Sequence, residues 1–445
     1  MSGSKNVIAI LARYPRLGEV KTRLTPPLSA EDALALHDRL TRHALRRALA
    51  VAATGDARVE VRTDAAFPRV AYDWLGSGFR ARYQGEGDLG DRIRLAFGDS
   101  FGRGRERVVV VGSDCPRLTS AHLRDALRRL SGIDIVLGPA TDGGYYLVAL
   151  RRETAKQSVP VLFTDVPWGT ADVLDRTISI AEKAGLSYVL LEPLPDVDRP
   201  EDVAPAEEAL ALDELPADAT VSVVIPALNE AGCIGAAVAS ALDGGAAEVI
   251  VADGGSSDAT AEIASAAGAR VIVSATGRAT QMNAGAAEAV GDILLFQHAD
   301  TVLPPKAARL AREALGRAGV VAGAFGYAVD SATATGRLVS TLGRARARVT
   351  HHPYGDQGLF VSAGVFRDLG GYPEMPTLED WEFVARLRRL GRVHVLRERA
   401  VTSLRAWEQR GLVATTVVNA AVIAGYRLGL DPERLARWRQ RAVRR

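Results

Sequence analysis

Short apolar runs alternate with stretches of helical periodicity along the first half of the chain. Residues 7–11 predict a buried strand, and residues 30–52, with apolar positions recurring every three to four residues, a long amphipathic helix. Further strands are predicted over 59–63, 79–83, 107–111, 134–138 and 145–150, then a helix over about 171–184 and a strand over 187–191. Strands separated by helices imply a mainly parallel sheet covered on both faces. Residues 200–220, rich in Ala, Asp, Glu and Pro, read as a short helix and then a linker, with Pro216 near the boundary. The pattern then restarts: strands over 221–225, 248–252, 270–274 and 292–297, helices over 232–242 and 257–267. The expected organisation is therefore two tandem α/β domains, 1–202 and 220–445, joined by a 203–219 linker.

Length agrees, since 445 residues exceed one ordinary core. A net charge of +2 implies no polyanion partner, and the Arg excess reads as solvated helix faces rather than a nucleic-acid surface. Two cysteines, Cys115 and Cys233, make a disulfide framework improbable and fit a reducing cytoplasm. No signal peptide is expected, because the apolar run 7–11 is short and Arg13 follows at once. Residues 411–430 are mostly apolar, but Asn419 and Arg427 interrupt them, so a buried or interfacial helix is expected. With the Arg-rich tail, residues 411–445 offer at most peripheral contact with the inner face of a membrane.

Candidate chemistry collects at strand ends, where open α/β sheets bind their ligands. In the second half, Ile225-Pro226-Ala227-Leu228-Asn229-Glu230 closes the first strand, and Val251-Ala252-Asp253-Gly254-Gly255-Ser256-Ser257-Asp258 closes the next. Arg278, Gln281 and Asn283 open a helix, a position from which an Arg and amides grip a diphosphate. His298-Ala299-Asp300 ends a strand and suits a divalent cation on phosphate oxygens. Asp356 and Gln357, then Glu379-Asp380 ahead of a helix, then Arg405 and Trp407, complete the series.

In this order and spacing these segments resemble the family 2 glycosyltransferases of GT-A fold, closest to the arsenosugar-biosynthesis subgroup and its carotenoid-acid neighbours. The resemblance implies that Pro226, Asn229, Glu230, Asp253 and Gly255 hold the nucleoside, and that Arg278, Gln281 and Asn283 line the diphosphate and donor sugar. Asp356, Gln357, Arg405 and Trp407 would contact substrate. Asp300 would hold Mg²⁺ or Mn²⁺, with His298 standing where the family has the first Asp of Asp-x-Asp. Asp380, paired with Glu379, would be the base that deprotonates the acceptor. A carboxylate is needed there because a hydroxyl is a poor nucleophile, and one base without an enzyme nucleophile implies inversion.

In the first half, the loop Ala12 to Leu24 carries Arg13, Lys21 and Arg23 behind a strand, a plausible phosphate cradle without Walker spacing. Gln84, Gly85 and Asp88 follow another strand, and Gly112-Ser113-Asp114-Cys115-Pro116, Asp142-Gly143-Gly144 and Pro195-Asp196-Val197-Asp198 place acids where they can converge on a cation. Cys115 reads as a buried strand-end residue. Together these resemble a family related to 2-phospholactate guanylyltransferases and other GT-A-like nucleotidyltransferases. By that resemblance Arg13, Lys21 and Arg23 bind phosphates, Gln84, Gly85 and Asp88 face base or sugar, and Asp114 and Asp198 hold the metal. The implied whole is a cytoplasmic enzyme that takes a UDP- or GDP-linked sugar to a small-molecule acceptor, with a first domain that makes or handles the activated sugar. Two alternatives for that domain stay open: a second glycosyltransferase, and a non-catalytic nucleotide-binding regulator.

Overall fold

The computed structural model describes residues 4–65, 67–330, 341, 352–403 and 412–443. The chain parts into two compact units between Glu214 and Leu215. The stretch expected to be the linker contributes the helix Val203–Ala211, whose Ala206 and Leu210 bury against Leu24, Leu36 and Leu40 of the first unit. Asp213 accepts from His43 Nδ1 at 2.6 Å and pairs with Arg47, so the first unit reaches Glu214.

Its sheet contains β1 (Asn6–Leu11), β2 (Arg58–Thr63), β3 (Arg80–Tyr83), β4 (Arg107–Gly112), β5 (Ile135–Pro139), β6 (Tyr145–Arg151) and β7 (Tyr188–Leu190), in the order β3-β2-β1-β4-β6-β5-β7. Only β6 runs antiparallel to its neighbours. Successive side chains alternate faces: Ile8, Ile10, Val109 and Val111 enter the core that includes Ala44, Ala48 and Val51 of the helix Ala30–Ala53. Val7, Ala9, Val108 and Val110 enter the opposite core with Ile93 and Phe97 of the helix Leu89–Gly102.

One ion-pair group is sealed in this unit. Arg62 is 0% exposed, with Glu60 at 2.9 Å and Asp99 at 3.2 Å. Replacing Arg62 by Leu strands the buried Glu60 carboxylate, although Arg82 and Arg103 remain at 3.6 Å from it. Arg62→Leu is expected to cost about 3 kcal/mol, read as a lower denaturant midpoint for the first unit's transition with the second unit's transition unchanged.

The second unit holds β8 (Val221–Ala227), β9 (Glu248–Asp253), β10 (Arg270–Val273), β11 (Ile293–Phe296), β12 (Thr301–Val302), β13 (Val320–Val329), β14 (Leu359–Ser362) and β15 (Arg392–Thr402). Their order is β10-β9-β8-β11-β14-β13-β15-β12, with β14 antiparallel to β11 and β13. Without the two-residue β12, strand order and direction match the first sheet position for position. Both sheets are mixed rather than wholly parallel, because the antiparallel β6 and β14 each slot between a parallel-running pair. Among the described residues no helix is long and apolar enough to cross a membrane.

Candidate functional site

In the second unit, β8 and β9 end side by side, with Ala227 opposite Asp253. Beyond them two loops interlock. Asn229 turns through a left-handed φ of 56°, a conformation its short polar side chain tolerates. Its Oδ1 accepts from Ser257 N at 2.8 Å, and its own N–H donates to Ser256 Oγ at 2.9 Å. Asp253, buried, accepts from Ser256 N at 3.0 Å, and Glu230 N donates to Thr260 Oγ1 at 2.8 Å. Gly255, at φ 90°, has open space where a Cβ would stand, and Pro226 is the penultimate residue of β8.

The helix Arg278–Glu288 ties the cradle to the rest of the site. Gln281 Nε2 donates to Ala227 O at 2.7 Å and Ala252 O at 2.8 Å, stapling the two strand ends. Asn283 spends both ends of its amide on the Tyr372 backbone, at 2.9 and 2.8 Å. Both amides are thus engaged with backbone; the resemblance implies that they line the diphosphate and donor sugar. Gln357 does the same: it is fully buried, with Nε2 on Phe325 O at 2.9 Å and Oε1 taking Tyr354 N at 3.1 Å.

The charged centre lies at the helix start. Arg278 Nη1 meets Glu379 at 3.1 Å while half of the Arg278 side chain, 51%, stays exposed. Burial, then repulsion by Asp380, raises the Glu379 carboxyl, and Arg278 opposes them. Leu378, at φ 66°, turns the chain so that Glu379 and Asp380 head the helix Glu379–Leu390. Asp380 Oδ2 accepts from Gly355 N at 2.8 Å and its Oδ1 from Trp381 N at 2.7 Å. A Cβ on Gly355 would stand 2.8 Å from His298 Nε2 and 3.2 Å from Asp380 Oδ2, so imidazole and carboxylate converge on one point. His298 Nε2 is buried without a hydrogen-bond partner. Burial first, and then Arg278, push the imidazole pKa far down, so it stays neutral. Asp300, two residues on, is anchored by Ser403 N donating to its carbonyl at 3.0 Å and by Thr402 Oγ1 at 3.5 Å from Oδ1. Asp356 acts electrostatically on Arg278. Arg405 and Trp407 lie outside the described residues.

A cavity of about 80 Å³ adjoins Asp380 and is lined by Tyr354, Trp381, Asn419, Val422 and Arg439. Local motifs give no sign of Asn419 and Arg439, because the helices Leu412–Arg427 and Pro432–Val443 bring them back from the chain's end.

His352 supplies a pH test. It is buried, and its pKa is pushed down to about 4 by burial, against which its contact with the Trp381 carbonyl works only partly. The folded value lies below the unfolded one of about 6.5. Its contribution to stability is therefore complete above about pH 6.5 and is lost as pH falls toward 4, by about 1.4 kcal/mol per unit. His298 shifts in the same direction. The second unit's melting temperature is expected to drop between about pH 7 and about pH 5, and His352→Gln to flatten that slope.

In the first unit the loop after β1 carries Lys21 in a left-handed turn, φ 50°, with its side chain only 7% exposed. Nζ lies 3.0 Å from Asp114 and 3.9 Å from Asp198, and donates to Val197 O. Loss of hydration pushes the Asp114 carboxyl up, but Lys21, with His37 and Ser113, outweighs it and holds it below the usual range. Arg23 pairs with Asp198 at 2.9 Å, and Arg13, exposed, donates to Glu19 O at 3.3 Å. Asp88 caps the helix Leu89–Gly102, accepting from Asp91 N at 2.8 Å. Gly85, at φ 88°, packs on Leu95, and Gln84, buried, lies 3.2 Å from Arg92 Nη1.

The acidic motifs do converge. Oxygens of Asp142, Asp196 and Asp198 lie within 4.8 Å of one another. Burial, then Asp142 and Asp198, lift the Asp196 carboxyl to about 6. Asp142 and Asp196 are missing from the pair expected to hold a metal, although both stand in motifs that the sequence singles out. Cys115 is buried and its thiol is pushed up to about 12 by burial, so it is no thiolate.

Comparison with known proteins follows the same division. Residues 222–361 match glycosyl transferase family 2, and residues 44–170 match DUF2064, described as an uncharacterized protein conserved in bacteria. The chain holds two tandem α/β units of GT-A type, and the second is similar to glycosyl transferase family 2 over residues 222–361. Similar solved structures include a provisionally named nucleotide-diphospho-sugar transferase from Desulfovibrio desulfuricans G20, at 32% identity over 44% of this chain and 83% of that one, TM-score 0.39. Another is glucosyl-3-phosphoglycerate synthase from Mycobacterium tuberculosis, solved with Mn²⁺, uridine diphosphate and phosphoglyceric acid, at 23% identity over 45% of this chain and 78% of that one, TM-score 0.34. No curated protein matches the chain. In the second unit the family match stops before Glu379 and Asp380, so those two rest on motif and geometry.

Proposed function

We propose that the glycosyltransferase unit moves a sugar from a UDP- or GDP-linked donor to a small-molecule acceptor with inversion, and that Asp380 takes the acceptor's proton. The convergence of Asp380, His298 and Arg278 beside the β8–β9 cradle carries this reading. Pro226, Asn229, Glu230 and Asp253 shape the nucleoside cradle, and Gln281 fixes its floor. Arg278, its side chain half exposed, is placed to meet the diphosphate while Glu379 orients it. Asp300 and His298 would hold Mg²⁺ or Mn²⁺, and a neutral imidazole whose Nε2 has no partner among the described residues fits that part. Such a cation offsets the charge that grows on the leaving diphosphate. Asp380, fixed by two backbone N–H groups, aims at the cavity beside Trp381, where the acceptor hydroxyl would sit. Assignment to the arsenosugar-biosynthesis subgroup rests on the motif resemblance.

The first unit is a second nucleotide site. Its cavity of about 480 Å³ is lined by Arg13, Lys21, Arg23 and Arg92, cations suited to phosphates, and opens on Asp114 and Asp198. Titration calorimetry with UDP and with GDP, in Mn²⁺, tests both halves. Two binding events per chain are expected for the nucleotide that fits both units, and Lys21→Ala is expected to remove one of them. A single event that Lys21→Ala leaves untouched contradicts the second site.

A further inference from the structure

Two chambers meet at the carboxylates of the first unit. The basic one holds Arg13, Lys21, Arg23 and Arg92. The other, about 290 Å³, lies across Ser113, Asp114 and Asp198, which line both. That second chamber is walled by Leu89, Ile93, Tyr145, Trp168 and Val173, with the Tyr145 ring edge-on to Trp168 at 6.1 Å. Its size falls near the lower end of small-molecule sites, and such sites are mostly apolar and aromatic with few polar groups. Every charged residue on its wall is an acid: Asp114, Asp142, Asp196 and Asp198. Among the described residues no Lys, Arg or His lines it.

We propose that this chamber is the second-substrate site of the first unit, and that it takes an uncharged, hydroxyl-bearing ring compound and rejects phosphate esters. The proposal rests on the reading of the basic chamber as a nucleotide site. Four carboxylates border the second chamber; Lys21 and Arg23, reaching Asp114 and Asp198 from the basic chamber, balance two of them and leave the charges of Asp142 and Asp196 facing it. A phosphate ester entering there would meet net negative charge with no donor cation on the wall, a mismatch that selects against it. A neutral ring meets the Trp168 and Tyr145 faces with its apolar side and the acids with its hydroxyls. That charge mismatch selects against condensation of a nucleoside triphosphate with a sugar phosphate, and transfer from a nucleotide-linked sugar fits. In that step the acceptor oxygen bonds to the anomeric carbon and the bond from that carbon to the diphosphate breaks. The electron pair leaves with the nucleoside diphosphate, and the hydroxyl proton passes to one of the carboxylates. The chain then holds two glycosyl-transfer sites in series.

Full-length protein labelled with 5-fluorotryptophan tests this by ¹⁹F NMR, with Trp168→Phe assigning the Trp168 resonance. The protein is first saturated with UDP, or GDP, and Mg²⁺. Methyl β-D-glucopyranoside is expected to shift the Trp168 signal, and glucose 1-phosphate to need at least about tenfold more for the same shift. The Asp380→Asn protein is expected to release no pyrophosphate from nucleoside triphosphates plus glucose 1-phosphate. An equal or stronger shift with glucose 1-phosphate, pyrophosphate release, or no shift with the glucoside overturns the proposal. If nucleotide binding is itself unaffected by Lys21→Ala, the nucleotide reading fails first and takes the proposal with it.

Discussion

Asp380→Asn is expected to lower turnover in glycosyl transfer by about 10²–10⁴-fold, with the donor KM little changed. Asn keeps the shape and one acceptor oxygen for Gly355 N or Trp381 N, so the helix start stays in place. What it loses is the capacity to take a proton from the acceptor hydroxyl. The neighbouring carboxyl does not replace it. Glu379 is 6% exposed and faces Arg278, and its burial beside Asp380 raises its pKa. A steady-state comparison of kcat and KM checks this. A loss seen mainly in donor KM would make Asp380 a binding residue instead.

The second large effect is expected at the cation site. Asp300→Ala should cost several kcal/mol of transition-state stabilisation, about 10³-fold in rate. It should also abolish any response of the remaining rate to Mn²⁺. Asp300 is held by Ser403 N on its carbonyl and Thr402 Oγ1 near its carboxylate, and β12 and β15 carry that anchorage. The mutation removes the carboxylate without disturbing the backbone contact. His298→Asn is the companion variant: a neutral nitrogen ligand is exchanged for an amide, and the apparent affinity for metal weakens while some metal dependence persists. A rate that falls in Asp300→Ala yet still rises with Mn²⁺ would place the cation elsewhere.

Much of this was legible in the sequence where a local rule applied. The apolar runs at β1, β4, β8 and β11 are central strands buried on both faces, so composition alone announces them. The turn residues that follow each strand mark where ligands bind, because the sheet points its carboxyl ends there. Strands β13 and β15 were not legible. β13 carries Gly323 and Gly326, which a strand tolerates here because the Phe360 ring and the β15 backbone press against them. β15 reads RVHVLRERAVT, with four charged residues among eleven, and its pairing with β13 rather than its own pattern makes it a strand. Roles were harder to read than positions. Gln281 and Asn283 sit where the motif requires, but that their amides are spent on Ala227, Ala252 and Tyr372 depends on the folded packing of distant segments. Asp142 and Asp196 come together with Asp198 from β5–β6 and the loop after β7, over 50 residues apart in sequence, a proximity that needs the folded sheet.

The central claim is that nucleotide-sugar transfer resides in the second unit and depends on a divalent cation. Its most direct test is hydrolysis of a panel of UDP- and GDP-sugars by the intact protein, with and without Mn²⁺, beside Asp300→Ala and Asp114→Ala. The account predicts that at least one donor is cleaved only with metal, that Asp300→Ala abolishes this cleavage, and that Asp114→Ala retains it. If no donor's cleavage is lost in Asp300→Ala and every one is lost in Asp114→Ala, transfer resides in the first unit alone and the account is contradicted.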